Sequence, residues 1–140
     1  MKKYFILTAI ALMPLFSAAQ VYKTSAGKIS FVSKTSIEEF SADNSQVQAG
    51  IDAGQNKVQF RVPVNGFVFK SALMQKHFQE NYMETSQFQY SNFVGKLSNP
   101  TAVNFAQNGV YPVEAIGKLT MHGVQKTSPF QVKWWWKTAP

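Results

Sequence analysis

His77 and Glu80 stand three positions apart in "LMQKHFQENYMETSQFQY", residues 73–90. On a helix that spacing puts an imidazole and a carboxylate on one face, where both could reach one metal ion. A helix-borne zinc site typically needs a second histidine one turn on, and Asn81 occupies that place. The only other histidine, His122, lies far down the chain, and there is no cysteine for a closed zinc site or for thiol chemistry. A three-ligand site built from both histidines and a carboxylate is the one metal arrangement left open.

Other catalytic arrangements are poorly supplied. No Gly-x-Ser-x-Gly elbow and no glycine-rich phosphate loop occurs. The carboxylate pairs are Glu38–Glu39 and Glu80/Glu84. Neighbours on a strand point to opposite faces, and an i, i+4 pair is the mark of a solvated helix face. The residues therefore argue against an enzyme and call for no metal or other cofactor.

The first 19 residues stand apart from the rest. "MKKYFILTAIALMPLFSAAQ" has two lysines, an apolar run from Tyr4 to Phe16, and the small residues Ser17, Ala18 and Ala19. That is the layout of a secretory signal peptide cleaved near Ala19. The apolar run is shorter than the ~20 residues that a membrane span needs. A periplasmic or secreted protein starting at Gln20 is expected. Losing Lys2 and Lys3 would lower the net charge of +7 by two. The basic residues are scattered singly, unlike the clusters that bind nucleic acid; they leave room for a transient contact with a membrane surface.

The elements that position these residues read as β. In "NKVQFRVPVNGFVFK", Val58, Phe60, Val62 and Val64 alternate with Gln59 and Arg61, the pattern of a half-buried strand. Pro63 falls on the polar parity, as at an edge or bulge. "GKISFVSKTS", "FQYSNFVGKLS" and "GVYPVEAIGKLTMHG" read as further strands, with "SADN", "DAGQN", "SNP" and "QNG" as turns. Gly95 and Gly117 fall inside strands, where glycine marks a bulge or sharp bend. In "KSALMQKHFQENYM" the alternation breaks; Met74, Phe78 and Tyr82 recur at four-residue steps with Leu73 beside them, one apolar face of a short helix. The expected fold is all-β with one short helix, an antiparallel barrel or sandwich. Ten phenylalanines follow residue 19. Composition leaves two uses open for them, a self-filled core or the wall of a lipid cavity with Met74 and Met83 as deformable lining.

From "GKISFVSKTSIEEFSADNSQVQAGID" through "LMQKHFQENYMETSQF" to "GKLTMHGVQK", the chain resembles the YceI-like lipid/polyisoprenoid-binding family over roughly residues 20–127. The resemblance implies a lipocalin-like antiparallel β-barrel, exported, non-enzymatic, carrying a long apolar amphiphile such as a polyisoprenoid or isoprenoid quinone. It implies ligand contacts from Phe60, Val62, Phe67, Phe69, Leu73, Met74, Phe78, Tyr82, Phe93 and Leu119. It further implies that His77 and Asn81 tie the helix to neighbouring backbone, and that His122 sits in a strand-to-strand turn tightened by Gly123. The alternative is a structural or stress-response barrel with a filled core and no guest. After "LTMHGVQK" the family's pattern continues for several dozen residues, whereas here "TSPFQVKWWWKTAP" follows. A domain over 20–140 shortened after about residue 127, and a barrel left unclosed, are thus expected. The strand-like runs number about six where ligand-holding barrels have ~8.

Overall fold

The structure, a computed structural model, describes residues 20–136; the expected signal segment, 1–19, lies outside them. Strands β1 (Val21–Lys34), β2 (Glu39–Asp52) and β3 (Lys57–Pro63) come first. A one-turn 3-10 helix (Val64–Gly66) and the two-residue β4 (Val68–Phe69) lead to helix α1 (Ala72–His77), which continues as a π-helix over Phe78–Tyr82. Strand β5 (Tyr90–Leu97), a second 3-10 turn (Pro100–Ala102), β6 (Gly109–Met121) and β7 (Val124–Trp136) complete the order.

All strands join one antiparallel sheet in the order β1-β2-β3-β5-β6-β7, with β4 added beside the first half of β2. As expected, the sheet does not close into a barrel. Closure needs a ladder between first and last strands, and here β1 and β7 keep the two outer places. The strands are also longer than read: β1 and β2 each run 14 residues, against a usual 3–10. "SADN" lies inside β2, not in a turn, because Asn44 has tertiary partners. Its Nδ2 donates to the Pro63 carbonyl (2.7 Å) and its Oδ1 accepts from the Gln46 amide (2.9 Å). The β1–β2 turn falls instead at Thr35–Glu38, where the Thr35 hydroxyl donates to the Glu38 carbonyl (2.8 Å) and accepts from its amide (2.9 Å). Pro63 ends a central strand and pairs with Tyr90, so its missing donor falls at the strand end and not on an edge.

Alternation was the right reading of β3: Val58, Val62 and Val64 are buried and Phe60 is half-buried. The core divides in two along this face. The first cluster gathers Ile51, Val58, Phe93, Leu97, Val103, Val113 and Ala115. The loop before β6 folds over it, with Phe105 stacked on Tyr22 of β1 (centroids 4.7 Å, 2° between planes). The second cluster lies under the helix. Phe60 touches both and stacks on Phe93 at 4.8 Å.

Gly95 and Gly117 oppose each other across β5 and β6. A Cβ on Gly95 would stand 2.5 Å from the Ile116 carbonyl oxygen and 2.7 Å from the Phe93 ring. The two backbones therefore approach closely on the core face, and the ring of Phe93 lies over the space.

Candidate functional site

The second cluster is where the sequence expected a ligand. Val62, Phe67 and Phe69 are buried there, and Met74 and Phe78 pack on them half-buried. Sequence reasoning left out Phe31, which is the hub of the aromatic set. Its ring meets Phe67 at 5.3 Å, Phe78 at 5.7 Å, Phe69 at 5.9 Å and Phe40 at 6.4 Å. The alternation of Ile29 and Phe31 along "GKISF" was the available signal.

Phe93 and Leu119, by contrast, belong to the first cluster. Leu73 and Tyr82 leave the core altogether, 65% and 70% exposed. For Tyr82 the cause is the helix type. The period-3.6 reading puts Tyr82 one turn above Phe78, but the backbone switches to i→i+5 bonding, with the Met83 amide donating to the Phe78 carbonyl at 2.9 Å. The wider turn carries Tyr82 outward and brings Met83 onto the aromatic cluster. Leu73, at the start of α1, sits beside the inward stripe and faces solvent.

The helical segment is held lightly. Ser71 caps α1 by accepting from the Met74 amide, and no residue of α1 or of the π-turn is fully buried. His77 and Asn81 are exposed and make none of its ties to the sheet. Two glutamines make them instead: the Phe69 amide donates to Gln75 Oε1 (3.1 Å), and Gln79 Nε2 donates to the Asn65 carbonyl (3.2 Å).

His122 and Gly123 form the β6–β7 turn with φ of 50° and 72°, the left-handed pair of a type I′ hairpin. His122 Nε2 lies 2.6 Å from Glu84 Oε2, and its ring packs on Phe88 at 4.5 Å. Glu84 is itself left-handed, at φ 44°. This contact joins the two most specific motifs of the sequence, "LMQKHFQENYMETSQF" and "GKLTMHGV". His77 takes no part in it, and among the described residues no three His, Asp or Glu side chains come together to hold a metal ion.

One concave space, of about 810 Å³, lies away from the aromatic cluster. It is an open depression bordered largely by Lys23, Gln48, Lys57, Gln59, Arg61 and Asn92, which the register puts on the outer face of the sheet.

The YceI-like domain family matches residues 19–139. The chain belongs to that family. The match runs through the tryptophan segment, beyond residue 127 where the visible resemblance stops. A polyisoprenoid binding domain from Saccharophagus degradans implicated in plant cell wall breakdown has the same fold. It superposes with a TM-score of 0.63 at 14% identity, over 83% of this chain and 67% of that one. A mutant CJ YceI protein with a monobromobimane guest aligns over 94% of this chain and 67% of the other at 12% identity, with a TM-score of 0.43. No curated protein matches the chain. The YceI-like fold here is a mostly antiparallel sheet with one short helical segment, left unclosed.

Proposed function

We propose that this protein is an exported, non-enzymatic carrier of a long apolar amphiphile such as a polyisoprenoid or isoprenoid quinone. The guest lies between the core face of the sheet and the helical segment. One observation carries the reading: Met74, Phe78 and Met83 rest half-buried on an aromatic floor while their helix buries no residue completely. An element attached so lightly can lift, and flexible thioethers and offset rings can repack around a chain-like guest. Family membership and the polyisoprenoid-binding relative support the same class of guest. The segment before Gln20 supports export, with the protein acting in the periplasm or outside the cell.

A filled core with no guest is the second reading, favoured by the ring contacts themselves. Phe31, Phe40, Phe67, Phe69 and Phe78 meet at centroid distances of 4.9–6.4 Å. Titration with a fluorescent long-chain amphiphile separates the two. A carrier binds it saturably, and Met74→Lys, which puts a charge into the half-buried layer, weakens binding at least tenfold. Equal and unsaturable uptake by both proteins would leave only the filled core.

A further inference from the structure

We propose that the outer face of the sheet is a docking surface for an anionic lipid bilayer. This goes beyond guest binding and holds whether or not the core carries a guest. The register sets five cations in three adjoining rows of that face. Lys57 lies directly opposite Lys96; in the next row Lys23 pairs with Gly50 at the β1 side and Lys118 with Val94 on the β6 side; Arg61 is one row further, opposite Asn92. In sequence these residues are scattered; only the antiparallel register collects them.

The arrangement works against the fold. Like charges directly opposite in a ladder are destabilising, and Lys57 and Lys96 are such a pair. Asp52, across from Lys57 on the other side, relieves it only in part: it makes no ion pair with either lysine, and its carboxylate accepts from the Gln55 amide (3.0 Å). The other acids on the face lie outside these rows: Glu114 further along β6, and Glu39 and Asp43 at the start of β2. Among the described residues the ion pairs are Lys34–Glu39 and His122–Glu84, so none of the five cations is neutralised by one. Arg61 is instead laid flat, its guanidinium 3.6 Å above the Tyr90 ring. Five cations against one acid in these three rows point to a partner with negative charge.

Its size and composition select the partner. From Lys23 on β1 to Lys118 on β6 there are four strand spacings, about 19 Å at the usual strand separation. One small anion covers far less, so the complement is an array of anions. Between the cations stand Val21, Val94 and Ile116, each 47% exposed. Aliphatic side chains among snorkelling lysines suit the boundary of headgroups and acyl chains. A single-stranded nucleic acid would instead engage several open aromatic platforms, whereas the aromatic ring at these cations, Tyr90, is covered by the Arg61 guanidinium.

The test is flotation of the full chain with vesicles of phosphatidylcholine alone or with about a third phosphatidylglycerol. Lys57→Gln/Lys96→Gln/Lys118→Gln is run beside the wild type. Both proteins have the same apolar N-terminal segment, so their difference reports the face alone. Each lysine near an anionic surface contributes about fivefold in partitioning; the triple variant should lose about a hundredfold on the anionic vesicles and nothing on the neutral ones. It should melt at the same temperature as the wild type or higher. Equal partitioning of the two proteins, indifference of the wild type to phosphatidylglycerol, stronger capture by single-stranded DNA than by vesicles, or a lowered melting temperature would each overturn the proposal.

Discussion

Replacing Tyr82 and Met83 one at a time by alanine tests the helical segment at its least expected point. Continuous α-helix puts Tyr82 over Phe78; the π-turn puts Met83 there. Tyr82 is 70% exposed, and surface truncations of that kind usually change stability by at most ~0.5 kcal/mol. Met83 packs half-buried on the aromatic cluster. Full burial of a methionine side chain contributes roughly 1.5–3 kcal/mol, so half-burial with partial loss of ring contacts gives about 1–1.5 kcal/mol for Met83→Ala. In urea, with a slope of ~1–3 kcal/mol/M for a small domain, that shifts the midpoint by several tenths of a molar unit. Tyr82→Ala should leave it nearly unmoved. The assay is urea unfolding followed by circular dichroism, with the slope checked for constancy. Reversed ranking, Tyr82→Ala costing more than Met83→Ala, would refute the π-turn and return Tyr82 to the core.

Three further outcomes are expected. Asn44→Leu strands the Pro63 carbonyl and the Gln46 amide, and should cost about 1–3 kcal/mol in the same unfolding assay. Gly117→Ala pushes a methyl group onto the Val94 carbonyl and Gly95 Cα; overpacking of this sort costs about 1–3 kcal/mol, and a melting temperature equal to wild type would show that β5 and β6 do not approach so closely. His122→Asn keeps the hairpin, because Asn-Gly favours the same turn, while removing the contact to Glu84. The pair is about 40% exposed (side chains 38% and 43%), so solvent screening limits a double-mutant cycle with Glu84→Gln to a coupling of ~0.2–1 kcal/mol. A cycle with no coupling would mean that the two motifs are neighbours without being joined.

How much of this could be read from sequence depends on the range of the force that decides each feature. The strand parity of β3 and the turn at "DAGQN" are local: alternation and turn residues fix them within a few positions. The glycines stood out as special positions within strands, though not as partners in a close backbone approach. "SADN" misled because asparagine favours turns on its own, while Asn44 is captured by Pro63, 19 residues away. Tyr82 misled because hydrophobic periodicity assumes 3.6 residues per turn, and one π-turn shifts the inward position by one residue. Leu73 failed more simply, as a single apolar side chain on an otherwise polar face. The Glu84–His122 contact spans 38 residues and leaves no periodic trace. Barrel closure is the most global property of all, decided by whether the first and last strands meet, and the alternation within each strand is the same in either case.

Organic extraction of the purified protein followed by mass spectrometry tests the carrier reading most directly. The account predicts one long apolar molecule per chain, retained through purification and lost in Met74→Lys. A folded, cooperatively melting protein that repeatedly yields no stoichiometric lipid would contradict it, and the aromatic cluster would then be core alone.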